Sequence, residues 1–295
     1  MAYRFGGCFF CELPFYVNRH VLIPRFDTEV LVEAVVTAPS PEAVSRSVSA
    51  HPVTPAACHP SLQEGKLVYQ PRAADKQSLK TTGEKESFSQ LKTLADSPLA
   101  KRGGPPTAVG CAVLDLCTGS GCIAIVLAKH DFRVTASDIS KKALRVARKN
   151  ARLHDVDVEF VRGDLFEVFR RKSSPPLWRG GMPAGRDGVV KFDVIVSNPP
   201  YIKTGELGKW DESTLHEPRV ALDGGADGLD FYRRIASEAG DYLNDGGRVF
   251  LEVCKFNFEA VKSLLQKSGF CDIQVIKDKA GGERVITCRM STMKN

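Results

Sequence analysis

The 295-residue sequence has no run of about 18 or more apolar residues, which excludes a helix that crosses a bilayer. It also lacks the start of a good signal peptide. Met1-Ala2-Tyr3-Arg4-Phe5 carries one positive charge, and Glu12 interrupts the apolar stretch that follows, so the expected location is cytoplasmic. Paired cysteines are missing too. Nine cysteines is an odd count in a chain too long to need disulfide staples, which favours reduced thiols. Cys8 and Cys11 form a C-x-x-C, but the only nearby companion is Cys58-His59, and no second pair stands at zinc-finger spacing. No metal is expected, and Cys111, Cys117 and Cys122 read as small buried side chains.

A basic nucleic-acid surface is missing from most of the chain, although the net charge is +6. Residues 38–110 hold nine Lys/Arg and six Asp/Glu, a balance of +3, and residues 170–191 hold six Lys/Arg and one Asp, a balance of +5. The remainder is therefore 6 − 8 = −2. Charge does not argue for direct nucleic-acid binding.

The same two segments lack sustained apolar period. Pro39, Pro41, Pro52, Pro55, Pro60, Pro71, Pro98, Pro105 and Pro106 punctuate a Ser-, Ala- and Lys-rich stretch, read as a disordered insertion over 38–109. A second insertion is expected near 172–189, where Ser174-Pro-Pro-Leu-Trp-Arg-Gly-Gly-Met-Pro183 echoes Ser97-Pro-Leu-Ala-Lys-Arg-Gly-Gly-Pro-Pro106. Three parts follow: residues 1–37 as an N-terminal stub and linker, the insertion, and a domain over 110–295. In the first part Val21-Leu22-Ile23 has strand character, Pro24 breaks it, and Asp27 or Thr28 can cap a helix through Val30, Leu31 and Val35.

What is present elsewhere is strict alternation. Strands are expected at Ala112–Leu116, Arg133–Ser137, Val158–Val161, Phe192–Ser197 and Arg248–Val253, with helices at Ile123–Lys129, Lys141–Leu153, about 229–243 and Phe258–Ser268. Two more strands near 272–276 and 284–287 flank Gly281-Gly282, a hairpin signal that adds an antiparallel edge strand. The fold class is α/β, a doubly wound, mostly parallel sheet.

Such sheets bind ligands at the C-terminal strand ends, where strand order reverses. The first strand runs into Asp115-Leu116-Cys117-Thr118-Gly119-Ser120-Gly121, whose glycines allow a tight turn and a close backbone approach. Asp138 ends the second strand, where a carboxylate can accept from both hydroxyls of a ribose. Gly119-x-Gly121-x-x-Ala124 also satisfies a dinucleotide fingerprint. Two residues favour S-adenosyl-L-methionine instead. Asp115 can orient the loop or receive a methionine ammonium, and Asp164 can meet the adenine amino group while Leu165 packs on the ring. The alternative is that Asp115 and Asp164 merely cap the helices that follow.

The fourth strand leads into Asn198-Pro199-Pro200-Tyr201. Two prolines at a strand end force a rigid, extended exit. That exit directs the Asn198 side chain and the Pro199 carbonyl, both acceptors, toward one place, and Tyr201 offers a face on which a planar amide or base can stack. A terminal NH₂ held this way needs no strong base, and its transfer chemistry rests on alignment.

These blocks resemble the HemK/PrmC family, the N5-glutamine methyltransferases that modify peptide-chain release factors, which have a Rossmann-like class I methyltransferase fold. The likeness rests on Asp115–Gly121, Ser137-Asp138-Ile139-Ser140 and Val196–Ile202, and more specifically on Val21-Leu-Ile-Pro-Arg-Phe-Asp-Thr-Glu29 and His216–Leu229. It implies a release-factor partner, whose Gly-Gly-Gln glutamine enters as an exposed loop, and Glu217, Pro218 and Arg219 shaping the entrance. Three departures stand out: only a stub precedes Phe15 where the family has a helical domain, Cys117 replaces a frequent glycine, and Leu251-Glu-Val-Cys-Lys-Phe256 replaces a Gly-containing strand end.

Other readings remain open. The same clamp can hold the exocyclic amino group of adenine, which would make an N6-adenine methyltransferase. A ribosomal-protein glutamine is a second possible target. A cofactor-binding relic without turnover predicts damage at Asp138 or at Asn198–Tyr201, and both are intact. A dehydrogenase predicts a catalytic histidine set, for which His216 is the one attractive residue.

Overall fold

The computed structural model describes residues 6–38, 110–170, 190–209 and 216–290. Apart from Ala38, both insertions read from composition lie outside these residues, as does Cys58-His59. Among the described residues no helix is long and apolar enough to cross a membrane, and no cluster of side chains could hold a metal ion.

The chain opens with a hairpin of β1 (Gly7–Phe10) and β2 (Leu13–Tyr16), followed by helix α1 (Phe26–Thr37). Cys11 and Cys8 belong to this hairpin. Cys11 (φ 47) and Glu12 (φ 62) form its two-residue turn, both in the left-handed region that such a turn requires. Then follow β3 (Ala112–Leu116), α2 (Cys122–Lys129), β4 (Arg133–Asp138), α3 (Lys141–Leu153), β5 (Glu159–Arg162), β6 (Phe192–Ser197) and α4 (Asp230–Glu238). Last come β7 (Leu243–Glu252), α5 (Phe258–Lys267), β8 (Phe270–Lys277) and β9 (Glu283–Met290).

Among the described residues seven strands make one sheet in the order β5-β4-β3-β6-β7-β9-β8. The first five are parallel, and β9 pairs antiparallel with both β7 and β8. The doubly wound sheet and the antiparallel pairing at its end are therefore present, with β9 inserted between β7 and the outermost strand. Chain direction turns back on β3: β4 and β5 lie to one side of it, β6 and β7 to the other. The reversal between β3 and β6 opens a crevice at their C-terminal ends.

Each face of the sheet is buried, because alternate residues of one strand point to opposite sides. Val113, Val194 and Val196 join α1, α2 and the hairpin residues Phe10, Leu13 and Phe15 in one core. Leu114, Leu116, Ile195, Val249 and Leu251 join α4 and α5 in the other. Helix α3 starts at Ser140, whose Oγ accepts from the Ala143 amide at 3.2 Å, and it buries Leu144, Ala147, Asn150 and Ala151.

Asn150 ties the N-terminal hairpin to the loop after β3. Its Oδ1 accepts from the Tyr16 amide at 2.8 Å, and its Nδ2 donates to the carbonyls of Tyr16 (3.0 Å) and Ser120 (2.9 Å). His154 adds a contact of 2.8 Å from Nε2 to the Pro14 carbonyl.

Two expectations are corrected. Val21–Ile23 pairs with no strand: the Ile23 amide is taken by Glu217 Oε1 at 3.1 Å. Neither Asp27 nor Thr28 caps α1, whose first residue is Phe26, with Arg25 at the cap position and no side-chain cap bond. The Thr28 hydroxyl is used elsewhere.

Candidate active site

The turn after β3 is built from left-handed residues: Cys117 (φ 60), Gly119 (φ 56) and Gly121 (φ 81). Cys117 occupies a conformation that suits glycine, the physical meaning of that departure from the family pattern. At Gly121 a second constraint applies, since an added Cβ would stand 3.0 Å from Ala147 Cβ on α3. The Thr118 amide donates to the Ser137 carbonyl (3.0 Å), and the Gly121 amide to the Thr118 carbonyl (2.9 Å). Loop residues 117–121 thus lie against the end of β4 and the start of α2, with Ser120 buried.

Asp115 is fully buried in β3, and its Oδ2 accepts from Thr118 Oγ1 at 2.6 Å. Burial pushes its carboxyl up to about 7, with the Thr118 hydroxyl opposing, the Asp138 charge adding, and the Ala124 amide opposing further. Its Oδ1 completes no hydrogen bond of ordinary geometry among the described residues. Asp115 thus bonds within its own loop, and its carboxyl also faces the Ala124 amide in the first turn of α2.

Asp138 faces the same loop from β4. Its Oδ2 accepts from the Gly119 amide (2.9 Å) and its Oδ1 from the Ser140 amide (2.8 Å). Burial raises its pKa, and these two amides oppose the rise. Each carboxylate oxygen has two lone pairs, so acceptor capacity remains on both. Asp164 follows β5, and its Oδ1 lies 2.9 Å from Arg234 Nη1 on α4, so it has a role other than capping. Leu165 (φ 50) is buried in the core beside Phe166, with 4% of its surface exposed.

Across the crevice, β6 is anchored to β3 by Ser197 Oγ, which donates to the Leu116 carbonyl at 2.8 Å. Asn198 follows, half-buried, and its Nδ2 donates to Thr28 Oγ1 at 3.2 Å. Pro199 and Pro200 are buried, and Tyr201 is half-buried with its phenol pKa raised, mainly by burial. The segment 216–229 straps this exit. Ile202 and Gly224 exchange backbone bonds with the 202–224 ladder (Ile202 amide to Leu222 carbonyl 2.9 Å, Gly224 amide to Ile202 carbonyl 2.8 Å). A Cβ on Gly224 would stand 2.7 Å from Tyr201 Cα, so only glycine allows that approach.

Within the strap, Glu217 is buried and bonds Arg25. Pro218 is half-buried, while His216 and Arg219 are exposed, with Arg219 Nε 3.1 Å from Asp223 Oδ2.

Two residues of this site escaped the sequence reading. Thr28 is 3% exposed and meets Asn198 across 170 positions of sequence. Glu252, the last residue of β7, is 2% exposed, and its carboxyl rises to about 7 through burial, with the neighbouring Thr28 hydroxyl, Arg284 charge and Asn198 amide opposing and the Asp27 charge adding. The signal for Glu252 was a single acid ending the apolar run Val249-Phe250-Leu251. For Thr28 no local signal existed.

A sheet with this strand order, a glycine turn at its reversal point and an Asn-Pro-Pro-Tyr exit on the neighbouring strand defines a methyltransferase, and the family described as a methyltransferase domain matches residues 113–174. Among curated proteins, a release factor glutamine methyltransferase of Thermodesulfovibrio yellowstonii is 32% identical over 99% of this chain and 76% of its own length. That of Geobacter sulfurreducens is 34% identical over 98% and 73%, and that of Clostridium acetobutylicum 32% identical over 95% and 71%. The chain belongs to the release factor glutamine methyltransferase family.

Proposed function

We propose that this protein transfers a methyl group from S-adenosylmethionine to the side-chain amide nitrogen of a glutamine in a peptide-chain release factor, in the cytoplasm. The Gly-Gly-Gln glutamine is the target that the family resemblance implies. The observation that carries the reading is the orientation of Asn198: Nδ2 is engaged by Thr28, which turns the acceptor Oδ1 away from that hydroxyl, and the Pro199 carbonyl is the next acceptor along the chain. Two acceptors suit an NH₂ group, which has two donors.

The cofactor fits the residues present. The buried Asp115 Oδ1, without a completed hydrogen bond among the described residues, is a natural acceptor for an ammonium. The spare acceptor capacity of Asp138 suits ribose hydroxyls, and in the turn of Cys117, Thr118, Gly119, Ser120 and Gly121 the half-buried Gly119 faces open space where a ligand can approach. Asp164, held by Arg234, stands at the adenine end, while the Leu165 side chain is packed into the core and offers the ring little surface. When bound, the cofactor supplies the electrophilic methyl group.

The protein's own residues do the rest. Asn198 Oδ1 and the Pro199 carbonyl each accept one N–H of the glutamine amide, fixing the nitrogen with a face free for in-line attack. Their partial negative charge favours the nitrogen as it becomes positive. Pro199 and Pro200 fix the backbone and with it the Pro199 carbonyl, and Tyr201 stacks on the amide plane. The lost proton then leaves from a cationic nitrogen, for which no strong base is required.

The test is intact-mass spectrometry of a bacterial release factor incubated with this protein and S-adenosylmethionine. One added methyl, on the Gly-Gly-Gln glutamine by peptide mapping, is expected. Calorimetric binding of the cofactor without any modification of the release factor would refute the substrate assignment.

A further inference from the structure

We propose that Thr28 and Glu252 are positioning residues that fix which end of the Asn198 amide faces the substrate. This rests on the function proposed above. An asparagine amide has nearly the same shape either way round, with one end an acceptor and the other a double donor. Flipped by 180°, Asn198 would point N–H groups at the substrate NH₂, donor against donor, and the clamp would repel what it must hold. Nothing in Asn-Pro-Pro-Tyr itself prevents that flip, because the prolines fix the backbone and leave χ2 of Asn198 free.

The hidden side of Asn198 supplies what the motif lacks. Nδ2 donates to Thr28 Oγ1 at 3.2 Å, and the buried Glu252 carboxyl lies beside both residues. Glu252 is 2% exposed and Thr28 3%, so water does not substitute for either. When Glu252 is ionised, its charge favours the Thr28 hydroxyl hydrogen and the Asn198 NH₂ on its side and disfavours the amide oxygen there, so the polarity of the cluster follows from the acid. The three residues come from α1, the exit of β6 and the end of β7, so the N-terminal helix completes the site by setting one torsion in it.

Glu252 is held in turn. Its backbone carbonyl accepts from the Tyr232 hydroxyl at 2.7 Å, and the positive Arg284 lies near its carboxyl while also reaching Asp27 at 3.2 Å. The acid that ends β7 is thus embedded, and its companion on α1 has the same shape as valine but for one oxygen.

Thr28→Val is the discriminating change, since it keeps volume and β-branching and removes only the hydroxyl. Turnover is expected to fall by about 10- to 100-fold, the scale of a small misorientation, with the release-factor KM and the cofactor Kd little changed. Thr28→Ser, which keeps the hydroxyl, restores most of the loss. A second measurement does not depend on turnover: the side-chain NH₂ resonances of Asn198 in asparagine-labelled protein, assigned with Asn198→Asp. In the wild type they are expected to be shifted and narrow, and in Thr28→Val to move and broaden. Wild-type turnover in Thr28→Val, or unchanged Asn198 side-chain resonances, overturns the proposal. An inactive wild type with the expected resonance changes sinks the substrate reading and leaves the orienting role standing.

Discussion

Arg25 and Glu217, 192 positions apart in sequence, meet so that Nη2 of the arginine lies 2.9 Å from each oxygen of the carboxylate. Asp27 and Glu29 stand closer to Arg25 in the sequence, and the fold selects a buried acid of the strap instead. The Glu217 side chain is fully buried and that of Arg25 is 36% exposed, so the pair joins the segment before α1 to the strap over the Asn198 exit. Losing the arginine strands a buried charge. Arg25→Ala is expected to cost about 2 kcal/mol, below the 3–5 kcal/mol of a fully buried pair because of that exposure. Glu217→Gln, which removes the charge and keeps an acceptor for the Ile23 amide, is expected to cost less. Chemical denaturation measures both, and an unchanged midpoint in Arg25→Ala contradicts the account.

Asn198→Ala removes one of two acceptors proposed for the substrate amide and touches nothing in the glycine turn. Methyl transfer is expected to fall by about 10²- to 10³-fold, the scale seen when one preorganised polar group is deleted. Cofactor affinity, read by calorimetry, is expected to stay within about two-fold. Undiminished turnover removes the clamp from the mechanism.

The parts of this site that lie within one strand-turn unit were legible from the sequence. Ala112–Gly121 and Phe192–Tyr201 each combine an apolar run with residues that only a special turn needs, and both fold as expected. What stayed hidden was set by tertiary contact. The hairpin of Gly7–Tyr16 uses Cys11 and Glu12 at left-handed positions where Asn-Gly would have announced it. Thr28 looked like a cap because a threonine near a helix start usually is one. Its hydroxyl is captured by Asn198, and no pattern within ten residues of it encodes that. Asp164 was read for its place at a strand end, and its ion pair with Arg234, which joins the segment after β5 to α4, is equally a product of tertiary contact.

Asp115 makes cofactor binding depend on pH in a defined direction. Burial holds its carboxyl at about 7, so below neutrality the free protein carries it protonated. A cofactor ammonium beside it favours the ionised form. Binding below pH 7 therefore releases a proton, and affinity is expected to rise with pH toward 7, by at most ten-fold per unit, and level off above. Calorimetry at pH 6 in two buffers of different ionisation enthalpy counts the proton. Glu252 also titrates near 7, so Asp115→Asn is the necessary control. A proton release that survives in Asp115→Asn assigns the linkage to another group.

His154 sets a limit on acid stability, and its sign can be worked out. Its Nε2 sits 2.8 Å from the Pro14 carbonyl, and burial lowers its pKa to about 4, with that carbonyl opposing and the Lys129 charge adding. In the unfolded chain it titrates near its ordinary 6.5. Between those values the unfolded state binds more protons, so this residue's stabilisation is full above pH 6.5 and is lost as pH falls toward 4, by about 3 kcal/mol in all. Asp115 and Glu252 act in the opposite sense, because their raised pKa values make the folded state the better proton acceptor from about 4 to 7. A simple pH titration of stability thus mixes two opposed slopes, and a variant must separate them. His154→Gln keeps an N–H for the Pro14 carbonyl and has no proton to bind. The stability difference between wild type and His154→Gln is expected to shift in favour of the variant as pH falls from 7 to 4.5. A difference that stays constant means that His154 is protonated in the folded protein as readily as in the unfolded one, and that its contact with the hairpin carries no acid sensitivity.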